Sequence, residues 1–259
     1  MHVHTDDPGR ALRLATGMGV VEAVEVVNMH RQTVEREVRL LWDPREATAT
    51  AVVTVSVGDG NRLLFESSGA TVVDGGETMN PSTEALLEAI ESAPAAEVVV
   101  LPNNPNVFMA AEQAASLATK PVHVVRSGSI QAGLAAMVAH DAARSAEQDA
   151  VEMAEALEDV AVGAVTVASR AVDGVAEPGD FLWLVDREPV VGGKELAPVA
   201  ERVVELLLAE PKDVLTVLTG ADEPELDGLL QTIESRWPDV ELEVHAGGQP
   251  HYRLLLSAE

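Results

Sequence analysis

The run Glu97-Val98-Val99-Val100-Leu101 is apolar without alternation and stops abruptly at Pro102-Asn103-Asn104-Pro105. Such a run reads as a strand covered on both faces, a condition met when helices cross between parallel strands. Its surroundings keep that rhythm. Thr50 to Val57 is β-branched and bounded by Gly58-Asp59-Gly60-Asn61, which reads as a turn, and a short strand follows at Thr71 to Val73. Asn80-Pro81 opens a helix with Leu86, Leu87 and Ile90 on its apolar face, and another helix runs from the Pro105 region to about Thr119. The strand Val122 to Val125 and an alanine-rich helix after Ser129 complete the unit. Strands alternating with helices at this spacing predict an α/β fold whose first lobe is a doubly wound, mostly parallel sheet.

After a helical stretch at Glu147 to Glu158 and a strand at Val160 to Ala168, the pattern changes. Asp173-Gly174, Glu177-Pro178-Gly179-Asp180 and Arg187-Glu188 punctuate short strands such as Phe181 to Val185, as antiparallel hairpins do. Helices return at Leu196 to Leu208 and Glu223 to Arg236, around a strand at Val214 to Leu218, and Val240 to Val244 and Tyr252 to Leu256 read as strands. A second, mixed α/β lobe is therefore expected over 151–259, after a first lobe over 46–150. Residues 1–45, which end near the polar break Asp43-Pro44-Arg45-Glu46, are too few for a complete domain and read as the end of a preceding one. Asp7-Pro8 is a good helix start, so a helix is expected from Pro8 to about Thr16 and a strand at Val20 to Asn28.

Composition narrows the partners. The 259 residues are 47% hydrophobic, ample for buried cores, and carry 17 basic against 43 acidic side chains for a net charge of -26. That charge repels phosphate backbones and anionic lipid surfaces, which argues against nucleic acid and membrane as partners; acidity of this kind otherwise serves solubility. With no cysteine there is neither a disulfide framework nor thiol chemistry, as suits a reducing compartment. No apolar run approaches the roughly 20 residues that span a bilayer, and the N-terminus lacks the features of a signal peptide, so a cytoplasmic location is expected.

Three strings could carry chemistry. His2-Val3-His4 on an extended segment puts both imidazoles on one face, a common way to offer two metal ligands, although exposed histidines at a terminus look the same. Gly75-Gly76-Glu77-Thr78-Met79-Asn80-Pro81-Ser82-Thr83 is a glycine-rich turn entering a helix. Free N–H groups and hydroxyls there can bind an anion or a partner, but the same residues serve a plain turn with Asn80 as cap. Asn103 and Asn104 follow the next strand and would lie near that loop on one sheet edge, or act simply as turn formers. Gly247-Gly248-Gln249-Pro250-His251-Tyr252 reads as a hairpin turn with proline at the strand start. Walker, nucleophile-elbow and Rossmann strings do not occur.

Taken together, Gly75 to Thr83, Glu243 to Tyr252, Leu101-Pro102-Asn103-Asn104 and Val26-Val27-Asn28-Met29 resemble the C-terminal region of the fatty acid kinase A subunit family, which is dihydroxyacetone kinase-related and has a DegV-like C-terminal domain. The resemblance implies a two-lobed DegV-like domain preceded by the end of a middle domain. It implies a docking platform for a fatty-acid-binding B-type protein in ATP-dependent acyl phosphate formation, with a homodimer left open. Gly75, Gly76, Thr78, Met79, Asn80, Ser82, Thr83, Asn103 and Asn104 become the candidate partner or anion-binding residues. His2 and His4 match two zinc ligands of the family, whose third, an upstream cysteine, this chain does not contain. ATP and magnesium belong to an N-terminal nucleotide domain absent from these residues, so the chain alone is expected to be inactive as a kinase. An independent DegV-like fatty-acid carrier is the alternative, and a metal-dependent hydrolase using His2 and His4 a third reading.

Overall fold

Side chains of a strand alternate between faces. Along the strand Thr50–Ser56 (β1), Val53 and Val55 point one way and Val52 the other, and all three are fully buried. One strand thereby feeds two cores. The computed structural model describes residues 49–185, 188–222 and 224–259, and 47–259 form one compact unit. The expected helix at Pro8 to Thr16, the strand at Val20 to Asn28, and His2 and His4 lie outside the described residues.

After β1 come α1 (Asp59–Ser67), β2 (Thr71–Asp74), α2 (Thr83–Ser92), β3 (Glu97–Leu101), a 3-10 turn at Pro105–Val107, α3 (Phe108–Leu117), β4 (Val122–Val124), α4 (Ile130–Val138) and α5 (Ala146–Ala156). The four strands make an all-parallel sheet in the order β2-β1-β3-β4. Val53, Val55, Val98 and Val100 pack on Leu86 and Ile90 of α2 and on Ala111 and Ala114 of α3. On the other face, Val52, Val99 and Leu101 meet Phe65 of α1, Met137 of α4 and Met153 of α5. This is the doubly wound sheet that the unbroken valine run requires. The helix α5 runs through residue 150, where the sequence reading divides the lobes, and packs on this first sheet, so the passage to the second sheet falls after Ala156.

The second sheet uses β5 (Ala161–Val167), β6 (Phe181–Val185), β7 (Glu188–Gly193), β8 (Val214–Gly220), β9 (Glu241–Gln249) and β10 (Tyr252–Ala258), with α6 (Leu196–Leu207) and α7 (Asp227–Arg236) between them. Its order is β7-β6-β5-β10-β8-β9, antiparallel except for the parallel pair β8–β9. Val203, Val204 and Leu207 of α6 and Leu229 and Ile233 of α7 cover one face. From the opposite face Leu218 and Leu255 join the cluster that holds Phe65 and Met137. Buried Gln131 of α4 also donates its amide to the carbonyls of Gly163 and Leu256 at 3.0 and 3.4 Å. The layer containing α1 and α4 is thus shared by both sheets.

Three local expectations are corrected. Gly58-Asp59-Gly60-Asn61 is not an isolated turn but the start of α1: Gly58 stands before the helix at φ 92°, and the Asn61 amide donates back to the Val57 carbonyl at 2.9 Å. Ser82, rather than Asn80, caps α2, its hydroxyl accepting the Ala85 N–H at 3.1 Å. Gly247 to Tyr252 does not form a hairpin, because β9 and β10 lie on opposite sides of β8 and the chain crosses over the end of that strand. Gly220 makes the crossing feasible, since a Cβ there would stand 2.3 Å from the Tyr252 carbonyl oxygen.

The start of α1 rests directly on β9. A Cβ at Gly60 would lie 1.6 Å from the Ala246 carbonyl oxygen, backbone against backbone, with no flexible atom to yield. Gly60→Ala is therefore expected to cost several kcal/mol in urea unfolding, on the order of the about 4–5 kcal/mol seen only for severe core disruptions. Gly228→Ala in α7, where nothing lies within 4 Å, should instead be neutral or stabilising by up to about 1 kcal/mol. Equal effects at the two glycines would contradict the close approach of α1 and β9.

Candidate functional site

At the carboxyl edge of the parallel sheet the loops after β1, β2 and β3 come together. The β2 loop is built by its own backbone. Gly75 N–H donates to the Ser56 carbonyl at 2.9 Å, Asp74 Oδ1 accepts the Gly76 N–H at 2.8 Å, and Asn80 N–H returns to the Gly75 carbonyl at 3.0 Å. Gly76 and Met79 both hold left-handed backbone, at φ 61° and 49°. Asn104 ties the two loops together by donating its amide to the Met79 carbonyl at 2.9 Å. Thr83 donates to Gln113 of α3 at 3.3 Å.

The nine candidate residues of this edge separate by role. Gly75, Gly76 and Ser82 shape the loop and cap the helix; Met79 is half-buried in the core; Asn104 joins loop to loop. Asn103 is turned inward. Only 3% exposed and at φ 53°, it donates its amide to Thr54 Oγ1 and the Val55 carbonyl, both at 2.8 Å, and accepts the Ser127 hydroxyl at 2.6 Å. Strand order reverses between β1 and β3, the place where open α/β sheets leave a ligand crevice. Here Asn103 fills that place, and its side chain is bonded within the fold. Thr78 and Asn80 stand exposed on the loop, as do Gly76 and Ser82.

Beside them opens a cleft of about 450 Å3, lined by Ser56 to Asp59, Arg62, Asp74, Gly76, Glu77 and Pro250. His251 Nε2 donates to the Glu77 carbonyl at 2.9 Å, tying the β9–β10 crossover to the β2 loop. Three carboxylates line the cleft, from Asp59, Asp74 and Glu77, against one guanidinium among the described residues, Arg62, which itself approaches Glu66 at 3.9 Å. The Ser56 hydroxyl is buried and has no hydrogen-bond partner among the described residues. Sequence reasoning missed Ser56, Asp59, Arg62 and Asp74. Their one visible signal was position, at strand ends and at a helix start. Among the described residues no group of three or more His, Asp or Glu side chains could hold a metal ion, and no helix is long and apolar enough to cross a membrane.

The fold is shared with several solved proteins. A DegV family protein from Thermus thermophilus, described for its fatty acid binding, superposes with a TM-score of 0.60 at 18% identity, covering 82% of this chain and 99% of that one. The fatty acid kinase B3 protein of Streptococcus pneumoniae, loaded with linoleic acid, gives 0.52 at 12% identity over 82% and 99%. The dihydroxyacetone kinase of C. freundii gives 0.55 at 16% identity over 82% of this chain and 48% of the kinase. These likenesses define an α/β protein of DegV-like fold. The chain belongs to the fatty acid kinase A-like, C-terminal family, whose model matches residues 51–259. An uncharacterised protein of Staphylococcus aureus strain USA300 is 35% identical over the whole chain, which spans 49% of that relative. The chain thus covers about half the length of the curated relatives it matches.

Because the Asn103 side chain closes the crevice from inside, Asn103→Ala should lower the free energy of unfolding by about 2–4 kcal/mol, leaving buried partners unpaired and a left-handed position strained. Thr78→Ala should stay within about 0.5 kcal/mol. Urea titrations of the two variants check the contrast, and a mild Asn103→Ala would return that residue to the surface.

Proposed function

We propose that the chain is the docking portion of a fatty acid kinase A-like protein, receiving a fatty-acid-binding B-type protein while phosphoryl transfer from ATP takes place on a domain outside these residues. The observation that carries this reading is the packed interior. Phe65 of α1, Leu218 of β8 and Leu255 of β10 meet between the two sheets, and Asn103 occupies the crevice at the reversal of strand order. An acyl carrier needs room inside, whereas a platform needs a rigid face, and the exposed loop at Thr78 and Asn80 beside an open cleft suits the second. Family membership supports the same choice.

The fold of solved fatty-acid-loaded proteins favours one other reading, an acyl carrier in its own right. Mass spectrometry of the purified chain separates them: stoichiometric fatty acid would favour the carrier, and its absence together with partner binding would favour the platform. The purified chain is expected to bind a fatty-acid-loaded B-type protein without ATP. Thr78→Glu with Asn80→Glu should weaken that complex while the melting temperature stays nearly unchanged, since exposed loop positions alter stability by only about 0.5 kcal/mol.

Two further outcomes follow from the division of labour. Calorimetry with ATP and magnesium is expected to show no specific heat, and micromolar binding would overturn the assignment of nucleotide to another domain. Zinc at His2 and His4 needs at least one ligand from elsewhere, because protein zinc sites use three or four side chains. Added zinc should therefore leave on dialysis against a chelator, and tight stoichiometric zinc would show that other residues complete the site.

A further inference from the structure

The cleft at the ends of β1 and β2 has a sign and an unfilled hydrogen-bonding group. Asp59, Asp74 and Glu77 contribute three negative charges, and Arg62, the one cation lining it among the described residues, leans toward Glu66. A helix start normally attracts anions, but Asp59 already occupies the first turn of α1 and offsets the positive end of its dipole. Asp74, which lines the cleft, accepts the Gly76 N–H at Oδ1. Ser56, 2% exposed, lines the same space, and its buried hydroxyl has no partner among the described residues. A buried hydroxyl left unpaired is costly. A visiting group that supplies several N–H donors would satisfy it and the carboxylates together.

We propose that this cleft receives a cationic side chain, an arginine guanidinium, projecting from the docked protein partner. The proposal rests on the docking reading and names the chemistry by which the partner is recognised. A guanidinium offers five N–H donors in a planar fork, which matches two carboxylates and a hydroxyl better than the compact ammonium of lysine does. The net charge of -26 supplies the long-range part, drawing a basic surface toward the chain. His251, bonded to the Glu77 carbonyl, fixes the β2 loop against the crossover, so the Glu77 backbone is positioned before the partner arrives. Pro250 of that crossover completes the wall facing the carboxylates.

Two measurements test it. In the first, ethylguanidinium and ethylammonium are titrated separately into the isotopically labelled chain and followed by nuclear magnetic resonance. Guanidinium-selective shifts confined to Ser56–Arg62 and Asp74–Glu77, lost in Asp74→Asn/Glu77→Gln, are expected; shifts that are absent, or equal for the two cations, overturn the proposal. In the second, the same double variant should weaken the complex with a fatty-acid-loaded B-type protein by about tenfold or more and flatten its dependence on salt. Asp74→Lys/Glu77→Lys should abolish binding and recover it when one exposed arginine of the partner is changed to glutamate. A wild-type complex that forms but ignores these carboxylates sinks the cleft assignment and leaves docking intact. No complex with the wild-type chain sinks the docking reading, and with it the partner named here.

Discussion

The molecule depends on a contact between two pieces of backbone. Gly58 and Gly60 at the start of α1 lie against the carbonyls of Gly247 and Ala246 in β9, and beside them the Asn61 amide donates to Gln249 Oε1 at 3.0 Å in a fully buried bond. Gln249 then donates to the Leu218 carbonyl at 2.9 Å. The buried Asn61 Nδ2 and Gln249 amide reach these partners only when α1 is seated, so this seam sets one position of α1 on the second sheet. Once α1 is seated, Phe65 reaches Leu218 and Leu255, and the two sheets share a core.

That shared core decides how the edge loops behave. Two lobes joined by a linker can rock about a hinge, whereas lobes that bury common side chains move together, because packed interiors have discrete arrangements and little slack. The loops after β1, β2 and β3 are therefore displayed on one rigid body. Asn103 and Asn104 reinforce this from beneath, one bonding to β1 and the other to the Met79 carbonyl. A surface prepared in this way loses little conformational freedom when something settles on it.

Much of this architecture was legible in the residues. Valine runs such as 98–100 and the helical stripe Leu86, Leu87, Ile90 place the parallel sheet and its outer helices without recourse to tertiary contacts. α1 was hidden because its apolar residues, Leu63, Leu64 and Phe65, are consecutive rather than spaced by a helical turn, while its first turn holds glycine and asparagine. Its stability comes from the seam, 188 residues away in sequence. The crossover from β9 to β10 was hidden for a similar reason: a short glycine-and-proline turn between antiparallel strands looks local, and only the insertion of β8 between them shows otherwise. At the site, the loop strings stood out, but the inward turn of Asn103 and the acidity of the cleft arise from strand ends that no short motif brings together.

The place of β10 has a further consequence for how the protein comes to exist in a cell. It follows every other described strand in the chain, yet it lies inside the sheet, paired with β5 on one side and β8 on the other. While the ribosome is still working, the β5–β6–β7 meander and the β8–β9 pair each present an open flank, and such flanks invite pairing with the wrong chain. The acidic surface that keeps neighbours apart then protects nascent molecules as much as finished ones. A ribosome that stalls before Tyr252 would release a polypeptide with two unclosed half-sheets, a natural target for chaperones and proteases.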